Sequence, residues 1–410
     1  MLSILLPWLI LYSCFLNNGS CDLYHELKEL MTEFAINLYQ QLADPENRTN
    51  LIISPASVII SLELLQFGAQ GNTFAQLENA LGFNIHDERV QDFMRAVHEE
   101  MTNTSQGTVV QLACALFIQA SVHLSPFFIE HATLWANSSL QQTNFSEPNR
   151  TAAQISEWVS NEEADSISLE RASSPLNQIA VVSTLYFKSM WQKKFFFTDT
   201  QPLAFTTAEG FILKVPTMYQ TADVNYGQFH TASLEQFSVI ELPYLGETVS
   251  MFVVLPSDRR TSLSHIESHL SAKTITLWAN NLKRIKMDIF LPRFSIQSHF
   301  DLKWILPMLG ITDIFDPSED GKNSNFCRHC IKQAKIEVKT CYYCFFSCMA
   351  AMVLLKRSRT PIFKADRPFI FFLRQANTGM DYSFTHLSHN LASCHEYVAW
   401  QEVQLLGLHF

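Results

Sequence analysis

Near the C-terminal end of the chain, Lys356, Arg357 and Arg359 fall within four residues, in the segment LLKRSRTP. An exposed arginine or lysine is what a trypsin-like serine protease accepts, because a carboxylate on the floor of its specificity pocket pairs with the cation. The two arginine bonds of this segment lie after Arg357, before Ser358, and after Arg359, before Thr360. Taken alone, a run of this kind is also the ordinary mark of a solvated basic turn.

Cysteine supplies the second candidate chemistry. Cys327-x2-Cys330 and Cys341-x2-Cys344 are ten residues apart, with His329 and Cys348 nearby, a spacing like that of a zinc ribbon. In an oxidising compartment such thiols oxidise rather than hold a metal. Of the nine cysteines, two lie in the first 21 residues, Cys114 stands alone, and six (those four, with Cys348 and Cys394) crowd the last fifth. That clustering does not suit a disulfide framework, so the main core must hold without one. No metal or other cofactor is expected.

Enzymatic chemistry finds no footing. The chain contains no GxSxG elbow, HExxH, phosphate-binding loop or GxGxxG, and its His, Ser and Asp residues show no spacing that names a triad. The expectation is a protein that is not an enzyme.

Composition narrows the setting. Hydrophobic residues make up 47% of 410, with 32 Phe against 12 Gly and 17% charged residues, which excludes disorder and calls for a large packed core. A net charge of −10, with no basic stripe, argues against nucleic acid and against an anionic membrane surface. Residues 1–21, MLSILLPWLILYSCFLNNGSC, read as a secretory signal whose apolar run is too short to span a bilayer comfortably. Asn-x-Ser/Thr sites begin at Asn47, Asn103, Asn137, Asn144 and Asn149, as expected of a glycosylated, extracellular chain. Residues 22–410 are expected to form one domain, since no Pro/Ser-rich linker or internal repeat divides them.

The elements that must hold these groups are legible in outline. Leu27, Leu30, Met31, Phe34 and Leu38 follow the spacing of an amphipathic helix, ended by Asp44, Pro45 and Asn47. Ser54 and Pro55 open a second helix, whose run VIISLELLQFGA is apolar nearly all round and so must be buried. Thr73 and Gln76 have capping-box spacing for a third, closed by Gly82. Further on, IAVVSTLYF (179–187), FSVIELPY (237–244), VSMFVVLP (249–256) and KMDIFLP (286–292) read as strands, some apolar on both faces. Helices first and a large sheet later give an α+β class.

These segments also resemble, in order, the motifs of the serpins, the serine protease inhibitors. NLIISPASV (50–58), YFKSMW (186–191), VPTMYQ (215–220), ELPYLGETVSMFVVLP (241–256), LPRFSI (291–296), LGITDIF (309–315) and DRPFIFFLR (366–374) cover some 350 residues between about 27 and 379. The stretch KRSRTPIFKADRPF and the overall length look most similar to the clade of plasminogen-activator inhibitors and nexins. The resemblance implies three β-sheets, about nine helices and an exposed reactive-centre loop at about 339–362, which puts Lys356, Arg357 and Arg359 in the bait. Arg357–Ser358 is then the first choice for the reactive bond and Arg359–Thr360 the second. Ser54 and Ser57 fall in the family's shutter segment. The partner implied is an extracellular trypsin-like serine protease, met by a monomer. Heparin, a common serpin cofactor, is not expected to bind strongly, because IHDERVQDFMRAVHEEM is acidic on balance.

Two segments depart from the family pattern. After IKQAKIEV (331–338) the family has a hinge of Gly, Thr and Ala, which lets the cut loop enter the main sheet as an extra strand. Here Tyr342, Tyr343, Phe345 and Phe346 fill that region, and Ala350 and Ala351 alone fit. Bulky β-formers either preinsert or resist entry, so a non-inhibitory serpin serving as protease substrate, carrier or chaperone is the alternative function. The zinc module is the distant one. After Gly379, in the atypical stretch 380–410, the family's apolar strands give way to MDYSFTHLSHNLASCHEYVAWQEVQLLGLHF, with polar His386, His389, His395 and Glu396 at positions expected to be buried. Ser183 and Ser189 stand where the family usually has Asn and Gly.

Overall fold

The computed structural model describes residues 23–43, 50–102, 108–135, 139–161, 179–258, 262–301, 305–315, 337–343, 360–376, 381–387 and 404–409. Helix α1 (residues 23–42) buries Leu27, Met31, Phe34 and Leu38, the stripe expected from their spacing. Strand β1 (Leu51–Ile53) runs into α2 (Pro55–Gly68), where Ser54 is the N-cap and its hydroxyl accepts from the Ser57 N–H at 3.5 Å. Every residue of α2 is buried, since the helix packs against strands as well as against other helices.

Helix α3 (Gly71–Leu81) corrects the capping expectation. It starts two residues before Thr73, with Gln70 as an N-cap that makes no side-chain bond. Gln76 instead reaches across to the Thr312–Asp313 turn, giving its Nε2 to Asp313 Oδ1 at 2.9 Å and accepting from the Asp313 N–H at 3.0 Å. A tertiary partner took the side chain that the local motif would have used. The C-terminal expectation holds: Gly82 sits at φ 82°, a left-handed position that glycine alone takes without strain.

The chain continues through α4 (Glu88–Thr102), β2 (Thr108–Gln119), α5 (Pro126–Leu134), β3 (Ser139–Thr143), α6 (Pro148–Asn161) and β4 (Ile179–Ser189). Then come β5 (Gln201–Thr206), β6 (Ile212–His230), β7 (Gln236–Pro243), β8 (Val249–Pro256), α7 (Leu263–Glu267), α8 (Ala272–Asn281), β9 (Lys283–Pro292) and β10 (Ser295–Asp301). The last strands are β11 (Glu337–Tyr343), β12 (Ile362–Lys364), β13 (Phe369–Gln375), β14 (Asp381–Leu387) and β15 (Gln404–His409). The class is α+β, and eight α-helices are present among the described residues.

Three sheets form. The largest has nine strands, ordered β1-β14-β13-β8-β7-β6-β9-β12 with β5 on β6. The others are β3-β2-β4 and β10-β11-β15. β8 and β13 are buried along nearly their whole length, as central strands must be. Phe252 and Phe372 stack across them with ring centroids 5.1 Å apart. Phe371, fully buried among these strands, is a direct test of that core. Phe371→Ala is expected to lower stability by about 3–5 kcal/mol, read as a fall in the denaturation midpoint at unchanged slope.

The polar stretch after Gly379 forms a strand nonetheless. β14 pairs antiparallel with β13 on one side and β1 on the other, with His386 opposite Ile370 and Leu51, and with an irregularity at Leu373/Arg374. Ladders on both edges hold a strand there without the family's apolar sequence. His389, His395 and Glu396 lie outside the described residues.

Candidate functional site

The basic bait, Lys356 to Arg359, lies outside the described residues, and both strands that bracket it are described. Upstream, β11 pairs with β10 from Glu337↔Asp301 to Tyr343↔Ser295. Thr, Val and Tyr favour extended backbone, and the strand accordingly runs through Cys341, Tyr342 and Tyr343. Two of the four aromatics expected in a hinge therefore sit in a ladder, and Phe345 and Phe346 lie outside the described residues. Downstream, β12 pairs parallel with β9, placing Phe363 beside Ile289 and burying it.

One carboxylate fixes the downstream end. Thr360 Oγ1 donates to Asp288 Oδ2 at 2.7 Å, and the Asp288 N–H donates to the Pro361 carbonyl at 2.9 Å. The other oxygen, Oδ1, accepts from Thr221 Oγ1 at 2.5 Å and Tyr219 OH at 3.2 Å. Burial pushes the Asp288 carboxyl up, and the hydrogen bonds from Thr221, Thr360 and Tyr219, with the Lys286 charge, more than offset it, so the group titrates below the ordinary carboxylate range. Composition had not singled out Asp288. The signal was there, a lone acid inside the apolar strand KMDIFLP, and two of its three hydroxyl donors, Tyr219 and Thr221, come from VPTMYQT on the neighbouring strand.

The sign of its pH effect follows. A depressed folded value contributes stability that is present above the unfolded value and is lost as pH falls through the folded one. Asp288→Asn keeps the size but replaces one acceptor oxygen with an NH2 donor, so at least one of the three hydroxyls loses its acceptor. It is expected to lower stability at neutral pH by about 1–3 kcal/mol and to flatten the loss of stability below about pH 4, measured as melting temperature against pH.

Beyond the anchor the chain is knotted to the core. Arg367 gives its Nη1 to Asp366 Oδ1 at 2.6 Å and its Nε to the Pro256 carbonyl at 2.8 Å, while the Asp366 carbonyl accepts from the Thr206 N–H at 2.8 Å. At the other end of the main strands, Trp191 of YFKSMW is buried and stacks on Tyr244 of the LPYLGE hairpin, 4.4 Å between centroids at 15°. Ser54 and Ser57 are fully buried at the head of α2, which packs on β4, β14 and β15. Ser189, in β4, is buried as well, and Ser183 stands opposite Cys114 in β2.

Of the proposed glycan acceptors, Asn149 is exposed in the first turn of α6. Asn144 is half-buried, its Nδ2 given to Glu147 Oε1 at 2.9 Å. Asn47, Asn103 and Asn137 lie outside the described residues, as do residues 1–21. Among the cysteines of the zinc-like spacing, Cys341 alone has a described backbone, in β11 opposite Gln297. No helix among the described residues is long and apolar enough to cross a membrane.

The family model for Serpin (serine protease inhibitor) matches residues 29–389. The chain belongs to the serpin family. A relative described as probable serpin E3, from Danio rerio, is 45% identical over 372 residues, covering 86% of this chain and 89% of its own. Glia-derived nexin of Homo sapiens is 30% identical, covering 86% and 91%. Among solved structures, native protease nexin-1 with heparin is similar at a TM-score of 0.79 and 28% identity, over 89% of this chain and 99% of that one. Thyroxine-binding globulin in complex with thyroxine, at 21% identity and a TM-score of 0.77, shares the fold. Membership favours the serpin reading over the zinc module, and serpins are inhibitors of proteases rather than catalysts.

Proposed function

We propose that this chain is a secreted serpin whose loop offers Arg357 to an extracellular trypsin-like serine protease. The observation that carries the choice of bond is the Thr360–Asp288 anchor. Cleavage after Arg359 would need Thr360 itself, pinned to Asp288 and followed by Pro361, to enter the protease cleft. Cleavage after Arg357 leaves Ser358 and Arg359 as slack before the anchor. In the first step the protease serine Oγ forms an ester with the Arg357 carbonyl carbon. The Arg357–Ser358 peptide bond breaks, and the new Ser358 amine leaves with a proton from the protease histidine. Hydrolysis of that ester makes this chain a substrate, whereas prompt insertion of the freed loop makes it an inhibitor. The chain itself catalyses nothing in either course.

The non-inhibitory course has an observation in its favour, since β11 runs through Tyr342 and Tyr343 where a hinge needs small residues. Incubation with trypsin-like proteases decides between them: a complex that survives SDS marks a trap, and cleaved chain alone marks a substrate. Mass spectrometry of the fragments reads the bond, and an intact KRSR segment would sink the bait assignment. Heparin is named with the nexin-1 structure, but the basic groups of α4 are occupied here. Arg95 pairs with Asp92 at 2.8 Å, Arg89 with Asp87 at 2.7 Å, and Glu99 and Glu100 follow on the same helix. Weak heparin binding by a monomer is the corresponding expectation. The leader and the glycan acceptors support export.

A further inference from the structure

Strand β15 lies beyond the part of the chain that the family model matches. The family match ends at residue 389, and Gln404–His409 lies beyond it. Yet β15 is built into the framework: it pairs antiparallel with β11, from Glu337↔His409 to Tyr342↔Gln404. On its other side it runs alongside β4. β11 thus has β10 on one edge and β15 on the other. The sixteen residues 388–403 between β14 and β15 can reach about 50 Å when extended, enough to cross a domain of this size.

The consequence is one of exclusion. A strand has two edges for main-chain pairing. The bait loop leaves β11 directly, so a loop that folds back onto the sheet beside it must run antiparallel to it. That is the direction β15 already takes, on the edge that β10 leaves. We propose that the C-terminal segment Gln404–His409 is a built-in strand that fills the slot between β4 and β11 and competes with the chain's own loop for it. The inference rests on the serpin reading for what the slot would otherwise receive. The occupant itself follows from the register alone. Leu405, Leu406 and Leu408 give the segment the apolar character of a covered strand, and α2 packs beneath it.

Two measurements test this. Hydrogen exchange on the unmodified full chain, followed by peptide mass spectrometry, is expected to show amides in 404–409 slowed by about tenfold or more against free peptide rates. Exchange of that segment at free rates overturns the proposal. The second uses a chain ending at residue 389, checked for cooperative melting, and a fluorescent peptide QEVQLLGLHF. Saturable binding to the shortened chain, at least about tenfold tighter than to the full chain, is expected, because the vacant edge then accepts the same strand. Equal affinity for both, or none for a folded shortened chain, overturns it. Should the shortened chain fail to fold, Leu406→Pro in the full chain takes its place: a proline cannot donate to the ladder, so faster exchange in 337–342 is expected, and unchanged exchange counts against the proposal. No protease enters these assays, so failure of the bait assignment leaves their outcome intact, and the reverse also holds.

Discussion

Arg357→Ala is expected to slow cleavage of the loop by a trypsin-like protease on the order of 10^4-fold at that bond, the penalty for leaving a specificity-pocket carboxylate unpaired. Residual cutting then shifts to Arg359, and it stays slow because Thr360 is held by Asp288 and Pro361 by the Asp288 N–H. The double change Arg357→Ala with Asp288→Asn separates the two causes. Loosening the anchor should raise cutting after Arg359, while leaving that after position 357 near background. Kinetics of fragment appearance read both rates. Fast cutting after Arg359 with the anchor intact would overturn the argument from slack. Arg357→Lys keeps the charge and should remain a substrate, which excludes misfolding as the cause of the alanine effect.

The parts of this fold that could be read from the chain are those set by local chemistry. Ser54 and Pro55 announced α2 because a hydroxyl cap and a proline in the first turn act within four residues. The runs at 179–187, 237–244, 249–256 and 286–292 announced β4, β7, β8 and β9 because two-sided burial leaves continuous apolar sequence. What could not be read depends on partners distant in the chain. Gln76 looked like a cap and became a tertiary contact to Asp313, 237 residues away. Asp288, a lone acid in an apolar run that the sequence did not single out, is the acceptor that holds the loop's end, through donors on other segments. β14 and β15 were unreadable because each is held by an edge that a distant strand offers, β14 despite its polar sequence, and neither edge is visible in the residues that fill it.

Cleavage of the full chain in its loop is expected to leave its melting temperature nearly unchanged, because two separate obstacles stand between the cut loop and the sheet. One is chemical: the segment beyond Tyr343 begins Cys344, Phe345, Phe346, where rapid burial calls for small residues. The other is topological, with β15 on the edge that the loop needs. Removing either alone should therefore gain little. Replacing Cys344–Cys348 with a Gly-, Thr- and Ala-rich hinge leaves the ladder of β11 with β10 in place, and ending the chain at residue 389 leaves β14 in place. The two changes together should let the cleaved chain take a full new strand, with a rise on the order of 10 °C in melting temperature and with SDS-stable complex formation. The pattern across the four chains matters more than any one value. A rise with the hinge change alone would show that the tail leaves the slot freely, and a rise with truncation alone would show that aromatics can enter it. A large rise in the unmodified chain would remove both obstacles from the account and make this protein an inhibitor as it stands.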